Sequence, residues 1–80
     1  MTLLVDKIKG PAFLAVALIN GDTSGFSDED MWALARFEAE VFCQYGSEAC
    51  VVDCEGEPFF GRWIDGLGHD LVEYTIHYYE

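Results

Sequence analysis

Residues 19–31 read INGDTSGFSDEDM. Two structures compete for this stretch, and the choice between them sets the fold. An ion loop of the EF-hand kind needs oxygen ligands at loop positions one, three, five, seven and nine, glycine at six and a bidentate glutamate at twelve. Counted from Asn20, the first three are Asn20, Asp22 and Ser24, the glycine is Gly25, and Asp28 falls ninth. The twelfth is Met31, which offers calcium no oxygen. The alternative gives every polar residue a local task. Asn20 and Gly21 tolerate the left-handed conformation that ends a helix. Asp22 to Gly25 are turn formers. Ser27 is an N-cap, and Asp28, Glu29 and Asp30 fill a first turn where the helix dipole favours negative charge. The stretch is therefore read as the seam between two helices, with calcium binding kept as a minor functional alternative.

On the N-terminal side, Ala12–Ile19 is apolar all round and reads as a buried helix, its three alanines favouring helix over strand. Pro11 suits its first turn, where a missing N–H costs nothing. Leu3 to Ile8 form a short first strand, ended by Gly10-Pro11. On the C-terminal side the spacing is helical from Asp28 to Tyr45. Met31, Leu34, Phe37, Val41, Phe42 and Tyr45 share one arc, with Arg36, Glu40 and Cys43 opposite and Trp32 near the outer face. Gly46 ends that helix.

The last third turns to strand patterns. Ala49–Cys54 and Phe59–Ile64 are apolar and β-rich, separated by the turn material Glu55-Gly56-Glu57-Pro58. After a glycine loop at Asp65–Asp70, Leu71–Tyr79 alternates: Val72, Tyr74, Ile76 and Tyr78 point one way, Glu73, Thr75 and His77 the other. The expected architecture is α+β, with two helices packed on one face of a three- or four-stranded antiparallel sheet paired as a meander. Residues 1–80 are too few for more than one domain.

Charge narrows the function. Four Lys and Arg stand against 15 Asp and Glu, a formal net charge of −11. With 51% hydrophobic and 15% aromatic residues the chain has material for a core, so the acids decorate a fold rather than a disordered tail. Such a surface repels nucleic acid and anionic membrane alike and favours cations or a basic protein surface. No apolar run approaches the ~18 residues of a membrane span, and no export signal opens the sequence, so a cytoplasmic location is expected. Cys43, Cys50 and Cys54 are then read as reduced thiols. Cys50 and Cys54 fall on one face of an ideal strand but about 13 Å apart, too far for a disulfide. With His69 and His77 the cysteines lack the spacing of a zinc site. Gly66-Leu67-Gly68 lacks the third glycine and following helix of a dinucleotide loop. No catalytic residue, metal or cofactor is assigned.

Asp53, Glu55 and Glu57 alternate, so an extended strand would line them along one face with neighbours about 7 Å apart. That repeat is on the scale of phosphates along a nucleic-acid strand. Asp28, Glu29 and Asp30 would continue the field along the helix. Exposed aromatics, Trp32 or Phe59, would supply the desolvated anchor that protein interfaces rely on.

The segments ALINGDTSG, FSDED, VDCEGEPFF and LGHDLVEYTIHY resemble small acidic proteins of phages and mobile elements that carry no assigned activity. That resemblance implies a helix–helix–sheet domain without catalytic residues. Gly61-Arg62-Trp63-Ile64-Asp65 is similar to a stretch in antirestriction proteins that mimic DNA, although it sits near the wrong end of the chain for that family. Together these give the leading expectation, a non-enzymatic anti-defence inhibitor of the anti-CRISPR kind. Its partner would be the basic nucleic-acid-binding surface of a host defence effector, met through Asp28, Glu29, Asp30, Trp32, Asp53, Glu55, Glu57 and Phe59. A protein-interaction adaptor with a non-defence partner is the alternative. The chain would act as a monomer or as a homodimer paired along the Tyr78-Tyr79 strand.

Overall fold

The alternating strand at the end of the chain organises the sheet. In the computed structural model, which describes residues 1–80, the order is β1 (Leu3–Pro11), a short 3-10 turn (Ala12–Leu14), α1 (Ala15–Asn20), α2 (Asp28–Tyr45), β2 (Cys50–Arg62) and β3 (Gly68–Tyr79). The protein is α+β: two helices and a three-stranded antiparallel sheet in the order β1-β3-β2, with α1 against the sheet. No helix is long and apolar enough to cross a membrane.

Strand β3 lies in the middle because it alone offers a continuous apolar row. Val72, Tyr74 and Ile76 are buried on the helix side. Leu71 is also buried, and the space above Gly61 is filled by its side chain. β1 pairs β3 without interruption from Leu3↔Tyr79 to Pro11↔Leu71. The expected meander is thereby corrected: the first strand skips its neighbour in sequence and pairs with the last. The Tyr78-Tyr79 segment is likewise not an edge, since Tyr78 pairs Leu4 and Tyr79 pairs Leu3; β1 and β2 form the two edges.

The turn expected at Glu55–Pro58 does not form. β2 is one 13-residue strand with two irregularities against β3, between Val51 and Asp53 and between Glu55 and Phe59. The second contains Gly56, whose φ of 86° is open to glycine and strained for other residues. The residues that resembled a hairpin turn are thus a bulge. The first irregularity separates the cysteines. Cys50 pairs His77 on the side away from the helices, and Cys54 pairs Tyr74 on the helix side. Their expected common face is lost because the extra residue shifts the alternation by one.

Helix α2 begins as its sequence prescribes. Ser27 Oγ accepts from the Asp30 N–H at 3.2 Å, and the Asp30 carboxylate accepts from the Ser27 N–H at 3.1 Å, a reciprocal capping box. Gly46 follows the last turn and donates to the Phe42 carbonyl. The inner face is Ala33, Leu34, Phe37 and Val41. Met31 and Phe42, expected inside, remain 43% and 58% exposed. Helix α1 is similar: Leu14, just before it, is fully buried, while Val16 and Ile19 reach solvent. Pro11 ends β1 and precedes the 3-10 turn instead of entering a helix.

The core is built around Phe37. Its ring lies 5.1 Å from that of Tyr74 and 6.4 Å from that of Trp63, centroid to centroid. Buried Tyr74 donates its hydroxyl to the Pro11 carbonyl. At the other end of α2, Tyr45 stacks 4.8 Å from Tyr78 and donates to Asp6 at 3.1 Å. Burial raises the Tyr45 pKa, and the Asp6 carboxylate adds to the shift.

Candidate partner-binding site

The segment from Asp22 to Asp30 forms one wall of a surface groove. Asp22 Oδ1 accepts from the Ser24 N–H at 3.0 Å, closing an Asx turn. Hydrogen bonds from the Ser24 backbone and side chain lower the Asp22 pKa. Gly21 takes the left-handed conformation that ends α1. The carboxylate of Asp30 accepts from the Ser27 N–H in the capping box. No three His, Cys, Asp or Glu side chains converge as a metal site would require.

A second loop faces this wall. Between β2 and β3, Trp63 N–H donates to the Leu67 carbonyl at 3.0 Å and Gly66 N–H to the Trp63 carbonyl at 2.9 Å. Asp65 Oδ1 accepts from the Leu67 N–H at 2.8 Å, and its Oδ2 lies 2.7 Å from His69 Nε2. The Asp65 side chain is only 7% exposed. Burial alone would raise its pKa; the Leu67 hydrogen bond, with the bond and charge from His69, outweighs burial and holds it below the ordinary carboxylate value. His69 is in turn framed by Trp63, edge-on at 5.7 Å, and by Phe13 at 6.3 Å.

Between these walls is a cleft of about 490 Å³, bordered by Phe13, Glu29, Asp30, Trp32, Ala33, Asp65, Leu67 and His69. Helical spacing explains the α2 contribution: Glu29, Trp32 and Ala33 are three and four residues apart and share a face. Trp32 is 57% exposed. Beyond Phe13 and Asp30 lies a shallower cleft of about 370 Å³, with Val16, Asp22, Ser24, Gly25 and Phe26 around it. Phe13 and Asp30 border both. Phe13 is fixed by an edge-to-face contact with Phe26 at 5.7 Å.

The eight residues singled out from sequence fall into two groups. Asp28, Glu29, Asp30 and Trp32 lie together on the first turns of α2. Asp53, Glu55 and Phe59 pair Thr75, Glu73 and Leu71, on the sheet face turned away from the helices. There Glu55 is ion-paired with Lys7 of β1, and Lys9 sits 5.5 Å over the Phe59 ring. Glu57 falls within the second bulge, out of register with β3, so the three-carboxylate row is not straight. Two local cations partly neutralise the acids on this face, whereas no lysine or arginine borders either cleft at the α2 end, where His69 is the one basic side chain.

Phe13 and Asp65 were missed as site residues, and Asp22 and His69 were weighed only as metal ligands. Phe13 lay inside a uniformly apolar run and Asp65 inside a glycine loop, and only tertiary contact brings them to Trp32. Comparison with protein-family models, with curated proteins and with solved structures finds no match for this chain.

Proposed function

We propose that this protein is a non-enzymatic anti-defence inhibitor that docks on the basic nucleic-acid-binding surface of a host effector and keeps nucleic acid from it. One observation carries the reading: Glu29, Asp30 and Asp65 meet exposed Trp32 around a single cleft bordered by no lysine or arginine, its one basic group, His69, being paired with Asp65. An aromatic anchor within an acidic surround suits a cationic protein surface, where the aromatic supplies desolvated contact and the acids speed and orient encounter. The net charge of −11 disfavours direct binding to nucleic acid. The α2 acids carry more of the proposed interaction than the β2 acids, because Glu55 already has Lys7 as a counter-ion.

The test is competition. The protein is titrated into CRISPR and restriction effector complexes bound to labelled DNA, and DNA release is followed at low and moderate salt. Inhibition that weakens with salt and is lost on reversal of Glu29 and Asp30 to lysine supports the proposal. Inhibition that survives reversal of all six acids, Asp28, Glu29, Asp30, Asp53, Glu55 and Glu57, would remove charge from the mechanism. Failure to bind any such complex would remove the anti-defence role.

A further inference from the structure

We infer that the two adjoining clefts at the α2 end form a continuous groove for an extended basic peptide segment, which places one cationic side chain in each cleft. The inference deepens the proposed function by naming what the partner presents: arginine side chains on an exposed strand or loop, rather than a broad flat field of positive charge.

The larger cleft is bordered by Trp32, Phe13, Leu67 and the His69 ring, so its surface is chiefly aromatic and apolar. A bare ammonium gains little from such walls. A guanidinium is planar, weakly hydrated and able to stack on aromatic faces while its edge donates to carboxylates. Glu29 and Asp30 supply those carboxylates on the same cleft, beside Asp65, which is already paired with His69. Asp65 is held in position by Leu67 and His69, and Asp30 by Ser27, so the acceptors are oriented before a partner arrives. Preorganised acceptors lower the ordering cost of binding.

The smaller cleft repeats this chemistry. Phe13, Val16 and Phe26 form its apolar side, and Asp22 and Asp30 its acidic side. Phe13 and Asp30 stand at the divide and border both clefts, so a chain crossing there can address both. A helix N-terminus alone would attract anions. Here Asp28, Glu29 and Asp30 occupy that end and reverse its preference.

The apolar groove between α1, α2 and the start of β2 does not compete for this partner. It is bordered chiefly by apolar residues, including Leu18, Leu34, Val41 and Phe42, with Glu38 its one charged side chain.

The test uses the intact chain and two probes, an arginine-rich and a lysine-rich peptide of equal length and charge, followed by NMR. The expected result is saturable shifts at the Trp32 indole, Phe13, Asp22 and Asp30, with the arginine peptide bound more tightly. Trp32→Ala is expected to weaken arginine-peptide binding by about three- to tenfold, the scale of one cation–π contact. Glu29→Gln is expected to weaken both peptides, which checks the groove without removing an aromatic. Shifts spread equally over Asp53, Glu55 and Glu73, or arginine binding unchanged by Trp32→Ala, would overturn the inference. Arginine-peptide binding without inhibition of any DNA-handling complex would sink the anti-defence reading and leave the groove intact. Inhibition with no peptide-induced shift in the groove would do the reverse.

Discussion

The Phe37 ring fills the space that a side chain at Gly10 would need. A Cβ built on Gly10 falls 2.8 Å from Phe37 Cδ1 and 3.1 Å from Tyr74 Cε2. Neither ring has room to retreat, since Phe37 and Tyr74 are both fully buried. Glycine is required here for close approach of strand to helix, not for an unusual backbone angle. Gly10→Ala is therefore expected to destabilise the fold by roughly 1–3 kcal/mol, the usual cost of overpacking a filled core. Urea denaturation reads this directly, and a change below 0.5 kcal/mol on that ~1–3 scale would mean that α2 shifts more freely than the packing suggests.

Ser27→Ala removes the side-chain half of the capping box and leaves the Asp30 N–H without its acceptor. The expected loss is about 1 kcal/mol. The same substitution keeps the Ser27 N–H that holds the Asp30 carboxylate, so peptide binding in the groove should change little. Hydrogen exchange should show faster opening confined to the first turn of α2.

Acid should weaken the 63–69 loop through Asp65. Its carboxyl titrates below the ordinary value of 3.8 in the folded chain. A group with a depressed folded pKa contributes stability that is fully present above the unfolded value and is lost as pH falls through the folded one. The contribution of Asp65 should thus be constant at neutral pH and disappear below about pH 4. Asp65→Asn should be less stable than the parent at neutral pH, with the difference shrinking toward pH 2–3. An unchanged gap across that range would mean that the Asp65 charge is not what stabilises the loop.

Alkali should act through Tyr74. Burial, with a lesser contribution from the Cys54 charge, raises its pKa well above the ordinary value of 10.0. An acid whose folded pKa is raised contributes stability that is present below its unfolded pKa and is lost as pH climbs through the folded one. Stability should therefore decline above about pH 10. Tyr74→Phe should flatten that decline. It should also cost roughly 1–3 kcal/mol near neutrality by leaving the buried Pro11 carbonyl without its hydroxyl donor. A pH profile identical to the parent's would locate the alkaline transition in another group.

The Lys7–Glu55 pair should matter much less. Both side chains are about half exposed, at 47% and 54%. Glu55→Gln is expected to change stability by less than about 1 kcal/mol. A larger loss would mean that this bridge across β3 has a structural role.

Helix α2 was legible because its start and stop are written in local chemistry: a serine followed by three acids, then a glycine after the last turn. Strand β3 was legible because Val72, Tyr74 and Ile76 obey a strict alternation that burial rewards. β2 was misread as two strands because a bulge uses the same glycine and proline as a turn, and local sequence does not separate them. The pairing of β1 with β3 depends on contacts between distant residues, which no window of sequence contains. The candidate site divided the same way. Trp32 and the acids of α2 stood out on one helix, while Phe13 and Asp65 reach them only through the folded chain.

The middle position of β3 has a consequence for synthesis. The strand that joins both others is the last of the three to leave the ribosome. Until it emerges, β1 and β2 share no partner, and Phe37 has no Tyr74 ring to rest on. Assembly of the sheet must therefore wait for the chain through Tyr79, and a message cut short before Gly68 would yield a product for the proteases rather than a smaller working protein.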